Sequence, residues 1–425
     1  MLGQVEIRTA RIWVEVEPGS AVQLAYWKKG SAAGTSQKLS ANTDAGQWFS
    51  PLTFDVTGLE MNSTYEYQVV ATTKQNKKSS PVCEFTTKDL WQWRHPAPDF
   101  SFLTGSCAYF NEPKYDRPGK PYGGDSTIFE SMAKEKAAFM MWLGDNWYTR
   151  EADYFSPWGL WYRAHRDRSL PVLQNFLKAM PHYAIWDDHD YGPNNADKSF
   201  TLKESSRQVF TSYWANPSYG LKGEGIYSKV SYSDADFFLM DDRYFRSADD
   251  MSAYVFDKPN ADKRMWGKQQ LDWLKNSLLT STATFKFIVT GSQSLNTLSP
   301  VDCLQSYPVE FNELMDFLLS EKINGVIFLT GDRHHSEIIR YDRRDGYPLI
   351  DITSSPLTSG IAKVYAKEKD NAARVPGTLV EAQNYTRISI SGKAGERVLM
   401  AEFIGIKGEK LAAWSVSEKD LKMAK

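Results

Sequence analysis

From residue 100 to residue 340 the chain repeats one pattern, a short apolar run followed by a turn rich in acidic or metal-competent side chains. The runs fall at 100–103, 137–143, 182–186, 237–240, 285–290 and 326–329. Runs this short and this apolar read as buried strands. Amphipathic segments separate them. Trp266, Leu271, Leu274 and Leu278 fall near one helical face of 266–279, and Phe311, Leu314, Met315 and Leu318 do the same in 311–319. Strands alternating with helices confine the chain to an α/β layered domain. Sites in such sheets form where strands end, so the turns after the runs are where chemistry is expected.

Four of those turns stand out. Val326-Ile327-Phe328-Leu329 leads into Gly331-Asp332-Arg333-His334-His335-Ser336-Glu337, and upstream lie Gly105-Ser106-Cys107, Gly144-Asp145-Asn146-Trp147-Tyr148 and Trp186-Asp187-Asp188-His189-Asp190. Asp145 has two carboxylate oxygens and could bridge two cations. A phenolate from Tyr148 needs a strongly Lewis-acidic ion, because a free phenol titrates near ~10. With a thiolate from Cys107 and an imidazole from His334, the set favours a redox-capable transition metal. Asp145, Asp188 and Asp332 form an oxygen-rich set suited to Ca²⁺, Mg²⁺ or Mn²⁺. Asn194 and Asn195 are close enough in sequence to add a carbonyl oxygen.

The first ninety or so residues differ. Arg11 to Val16 and Val22 to Trp27 alternate polar with apolar, as strands do. Leu59, a polar turn and the tyrosine-rich stretch from Thr64 to Ala71 resemble the closing strands of fibronectin type III sandwiches, buried tyrosine included. The expected division is a β-sandwich over 1–96 and a catalytic domain over 97–425. The tail, from Arg387 to Ser417, returns to strands around turns at Gly392, Gly395 and Gly408.

Composition narrows the function classes. A formal net charge of −2 gives no field to draw nucleic acid or an anionic membrane. No apolar run approaches the ~20 residues of a membrane span. The 14 Trp and 22 Tyr suit a well-packed globular protein. Three cysteines, Cys83, Cys107 and Cys303, cannot build a disulfide framework. Met1-Leu2-Gly3 opens the chain without signal-peptide character, which fits a cytoplasmic start and a processed mature chain equally.

Taken in order, the four turns and the N-terminal strands resemble the metallophosphoesterase superfamily, in particular PhoD-type alkaline phosphatases. The resemblance implies a four-layer α/β/β/α core behind a fibronectin-like sandwich. It implies hydrolysis of phosphate monoesters or diesters by a metal-activated water or oxide acting on a small-molecule substrate. Carried over residue by residue, it makes Cys107, Asp145, Tyr148 and His334 ligands of Fe³⁺, and Asp145, Asp188 and Asp332 ligands of one or more Ca²⁺, with Asn195 as a further oxygen donor. His189 would stand beside the phosphate, and Arg243 of Asp241-Asp242-Arg243 would neutralise it. Enzymes of this type are exported, so the implied location is periplasmic or secreted. Two other classes are kept beside it, a hydrolase with Cys107 as nucleophile and a calcium-binding surface protein without catalysis.

The remaining polar residues get plainer expectations. Asp187 and Asp190 read as capping groups, Asp241 as structural, and His335 as packing. His95, His165 and His182 lack motif support. Arg163, Arg166 and Arg168 are expected to form a solvated basic helix face, and Trp147 to add an aromatic at the site rim. Gln293 stands where related phosphatases carry a metal-binding histidine, so it is a doubtful ligand.

Overall fold

A computed structural model describes residues 1–31, 35–299 and 302–423. The N-terminal strands alternate as their sequence predicts. Thr9–Val16 pairs antiparallel with Leu2–Val5 and Ser50–Thr57. Ala21–Lys28 lies between Gln37–Asn42 and Thr64–Thr72, and the last of these also pairs with Lys77–Ser79 and Cys83–Thr86. Inward residues of the two sheets, Ile12, Leu24, Phe54, Tyr67 and Phe85 among them, share one hydrophobic cluster. Leu59, before Thr64–Thr72, and Tyr65, within it, are buried, and the Tyr65 hydroxyl accepts a 3.0 Å hydrogen bond from the Glu60 backbone N–H. That bond ties the turn to the strand, as the tyrosine corner of β-sandwiches does.

Two six-stranded sheets follow. In the first, His182–Ile185, Met140–Leu143 and Phe100–Gly105 run parallel, and Asn384–Ser391, Val398–Gly405 and Lys410–Ser417 continue the sheet antiparallel. The tail strands are therefore part of this sheet and not a separate unit. In the second, Ala235–Leu239, Phe285–Val289, Val326–Thr330 and Leu349–Thr353 are mutually parallel. Ser228–Tyr232 and Glu337–Tyr341 close its edges antiparallel. Phe102 of the first sheet meets Phe237 and Phe287 of the second edge-on, at 5.1 and 5.6 Å between ring centres. One hydrophobic cluster runs through both sheets. Strands buried on both faces carry no polar alternation, which is why they read as unbroken apolar runs.

The helices Gly267–Thr280 and Pro308–Ser320 lie where the apolar spacing puts them and bury Leu271, Leu274 and Leu278, and Phe311, Leu314 and Leu318. No helix among the described residues is long and apolar enough to cross a membrane. Side-chain bonds join the sandwich to the core. Trp13 Nε1 donates to the Ser212 carbonyl at 2.7 Å, and the Tyr213 hydroxyl donates to Glu15 at 2.7 Å.

Two expectations are corrected. The helix Pro157–Arg168 does not show solvent a basic face: Arg163 is 0% and Arg168 4% exposed. Arg163 pairs with Asp153 and Glu112, each at 2.8 Å, and Arg168 lies 3.7 Å from the centre of the Trp214 ring. Asp153 lies just before the helix, but Glu112 and Trp214 come from distant segments, so the helix's own sequence does not reveal them. Trp147 is 1% exposed and stacks on Trp214, so it is core and not rim. Removing one partner of a buried charge cluster strands the others. Arg163→Met is therefore expected to cost about 3 kcal/mol in urea unfolding, whereas a solvated face would give a change near zero.

Candidate metal centre

The strands Phe100–Gly105, Met140–Leu143, His182–Ile185 and Val326–Thr330 end just before Cys107, Asp145, Asp188 and Asp332 respectively. Their ends meet across the two sheets. A Cβ on Gly331 would lie 2.7 Å from the Leu143 carbonyl oxygen and 2.7 Å from Ser106 Cβ, so only glycine lets these turns converge. The turns are also strained. Cys107, Asp145, Asn195, Asp332 and His334 hold φ values of 62, 51, 57, 64 and 56°, a left-handed region that residues other than glycine seldom adopt. Strain of this kind collects at functional sites, and five of the expected ligands carry it.

Cys107 Sγ, an Asp145 oxygen and a His334 ring nitrogen lie within 4.8 Å of one another. Tyr148 joins them. Its hydroxyl is 3.2 Å from His334 Nε2, and its ring packs with Cys107 and Tyr109. An oxygen of Asp145, one of Asp188 and a His189 nitrogen form a second group of the same size. Asp145 is common to both. Its Oδ2 accepts from the Cys107 thiol at 3.7 Å, and its Oδ1 accepts from the His189 backbone N–H at 3.2 Å. Asp332 belongs to neither group, although its charge acts on both Cys107 and Asp145. The Asn195 side chain is exposed, and the residue contributes its backbone N–H, which donates to Asp188 Oδ2 at 2.7 Å. The His189 ring stacks on Tyr148 with centres 4.3 Å apart.

Around these residues lies a shell of committed groups. Arg243 is fully buried; its guanidinium donates to Asp187 at 2.6 Å and to Asp302 at 2.9 Å. It therefore stands behind the site, with its charge already divided between two carboxylates. Asp187 and Asp190 cap the short helix Asp188–Tyr191, and Asp190 also accepts from the Asn146 backbone N–H at 2.9 Å. Asp241 accepts from Trp186 Nε1 at 2.8 Å and from three backbone N–H groups. Gln293 is buried, donating to Glu337 at 2.9 Å and accepting from Arg333 at 2.6 Å. His335 is buried with Nε2 3.6 Å from Glu337.

Two contributors were not read from the sequence. The Ser355 hydroxyl donates to Cys107 Sγ at 3.2 Å and accepts from the His334 backbone N–H at 2.9 Å. The Tyr122 hydroxyl lies 3.0 Å from His334 Nδ1. Ser355 follows the buried strand Leu349–Thr353, so it obeys the same strand-then-turn pattern as the four motifs. Tyr122 sits in a long loop with no such signal.

The electrostatics ask for a cation. Burial, then Asp188 and Cys107, push the Asp145 carboxyl well above the carboxylate range. Burial and then Asp332 raise the Cys107 thiol to about 12. Burial, then Asp145, raises the Tyr148 phenol. Burial, then Asp302 and Asp188, raise Asp332 to about 6. Asp188 runs the other way, because His189, Arg243 and the Asn195 N–H outweigh its burial. Burial lowers His189 and His334, which favours the neutral form of each ring, the form that binds metal. A bound cation would reverse each raised value by favouring the anionic form. Thiolate, phenolate and imidazole with a bridging carboxylate fit a transition metal, and the remaining carboxylates fit a hard cation.

Comparison with known proteins agrees with this architecture. Alkaline phosphatase D of Bacillus subtilis (strain 168) is 26% identical over 326 residues, covering 66% of this chain. The chain spans about half the length of that relative, 52%. A solved structure of PhoD superposes over 100% of this chain and 90% of its own, with a TM-score of 0.77 and 19% identity. A purple acid phosphatase from yellow lupin (Lupinus luteus) seeds covers 99% of this chain and 74% of its own, with a TM-score of 0.69 and 10% identity. The family model for PhoD-like phosphatases matches residues 102–399, and the chain belongs to that family.

Proposed function

We propose that this chain hydrolyses phosphate esters at the centre built around Asp145. The observation that carries this reading is the position of Asp145 between two donor groups, the Cys107–His334 pair on one side and the Asp188–His189 pair on the other. The family, and the name of its Bacillus relative, support the same chemistry. On this reading Cys107, Asp145, Tyr148 and His334 hold Fe³⁺, and Asp145, Asp188 and Asp332 hold Ca²⁺, with Asn195 orienting Asp188. Bound metals would supply Lewis acidity toward the phosphoryl oxygens and an activated water.

The chain's own residues then have distinct tasks. Asp145 joins the two halves. Arg243 holds Asp187, which in turn caps the turn carrying Asp188. We assign Arg243 to this support and not to direct contact with phosphate. His189, fixed by its stack on Tyr148 and with its pKa lowered by burial, is the group to stabilise charge on the leaving oxygen by donating a hydrogen bond. Small phosphomonoesters and phosphodiesters are both within its scope. The same reading takes 1–96 as a fibronectin-like sandwich, 97–425 as a four-layer catalytic domain, and the protein as periplasmic or secreted.

The alternatives explain less. A nucleophilic cysteine is partly exposed with a depressed pKa, whereas Cys107 is fully buried and its thiol is raised to about 12. A purely structural calcium site gives no role to the thiol and phenol converging on His334.

Asp145→Ala should lower bound metal and turnover of p-nitrophenyl phosphate together, by about 100-fold or more. Turnover retained in a metal-replete variant overturns the proposal. An intense visible absorption band lost on chelation supports iron; a colourless, iron-free and active enzyme reassigns the metal alone.

Stability against pH gives an independent check. Asp332 near 6 lies above the unfolded aspartate value of about 3.9. At Asp332 metal-stripped protein therefore binds more protons folded than unfolded between those limits, and loses stability as pH rises from about 4 to about 6. Cations compete with protons, so metal-loaded protein avoids that loss. The gap in melting temperature between the two forms should widen over this range; a constant gap contradicts the ligand set.

A further inference from the structure

We propose that Tyr122 is a positioning residue of the metal centre, fixing the outer nitrogen of His334 from the solvent side. The proposal rests on the metal-site reading above and extends it to a residue 212 positions away in the chain. The inner nitrogen of His334, Nε2, faces the Tyr148 hydroxyl at 3.2 Å. The outer one, Nδ1, faces the Tyr122 hydroxyl at 3.0 Å and the Ser359 hydroxyl at 3.5 Å. With Nε2 given to a metal, Nδ1 would carry the proton, and the Tyr122 oxygen is placed to accept it beside the Gly360 carbonyl. A metal-binding histidine normally donates its second N–H to a partner that fixes tautomer and ring orientation, and Tyr122 occupies that place.

Tyr122 is 45% exposed, so packing alone does not account for where its hydroxyl lies. The segment that carries it, 109–124, is rich in proline and glycine and forms a strap across the centre. Both ends of the strap are held. Arg150 donates to the Phe110 carbonyl at 2.7 Å, and the Gly124 N–H donates to the Thr358 carbonyl at 2.7 Å. Asn111 closes the strap on itself, donating to the Gly123 carbonyl at 2.8 Å and accepting from the Gly123 N–H at 3.0 Å. Tyr122 is thus one residue from a closed loop, and its ring meets Tyr109 edge-on with centres 4.9 Å apart. A side chain this constrained can hold a ligand in register although half its surface meets solvent.

The test is Tyr122→Phe in the full chain, with Tyr115→Phe, an exposed tyrosine of the same strap, as control. We expect Y122F to lose metal to a chelator about 10-fold faster than wild type. Its kcat on p-nitrophenyl phosphate should fall about 10-fold with KM within about twofold, and Y115F should match wild type. Wild-type metal retention and wild-type kcat in Y122F overturn the positioning role while leaving the phosphoesterase reading intact. If wild type hydrolyses neither monoesters nor diesters, that reading fails, and faster metal loss from Y122F still upholds the role of Tyr122.

Discussion

Asp145 is buried beside a thiol, a phenol and a second carboxylate, in a backbone conformation that aspartate rarely adopts. Two like charges 4 Å apart repel by about 4 kcal/mol at an effective dielectric of about 20. The protein answers this repulsion only from behind. Arg243 is committed to Asp187 and Asp302, and Arg333 to Glu368 and Gln293. Those arginines neutralise the supporting acids and make rigid walls. The front acids, Asp145 and Asp332, are left with raised pKa values and, among the described residues, no basic side chain bonded to them. A fold that spends its cations one layer back and leaves the front acids without a counter-charge is built around a charge it does not itself supply.

Such a wall requires strand ends from two sheets to approach more closely than side chains normally permit. Gly331 allows it between the sheets. Gly144, at φ 91°, allows it within the first sheet, where a Cβ would lie 2.6 Å from Asp187 Cβ. The cost appears next door, in the left-handed φ of Cys107, Asp145, Asp332 and His334. Close packing and strained turns are two aspects of one arrangement, because a relaxed turn would swing each donor away from the common point.

Much of this was legible in the sequence, and what was not has a common physical cause. The apolar runs and the residues after them gave the strands, and the order of the four motifs gave the donor set. These are local patterns, each confined to a few adjacent residues. The errors depend largely on non-local contacts. Arg163 is buried with Glu112 brought in from a distant segment, and Trp147 because Arg168 and Trp214 cover it. Ser355 touches Cys107 from 248 residues away. The strained φ values fall on Cys107, Asp145, Asn195, Asp332 and His334, none of them glycine. Even the split of Asp332 from the two compact donor groups depends on distances across the sheets, which spacing along the chain does not encode.

The misread helix face and the unread tyrosine turn out to be connected. Helix Pro157–Arg168 turns Arg163 and Arg166 toward the start of the strap: Arg163 pairs with Glu112, and Arg166 donates to the Asn111 carbonyl at 2.7 Å. Asn111 is the residue that closes the strap on Gly123, next to Tyr122. The charges that read as a solvated surface therefore lie three contacts from His334. They hold the strap by its backbone and by Glu112, so its proline-rich tip can vary in sequence while the tyrosine beside the anchor stays over His334.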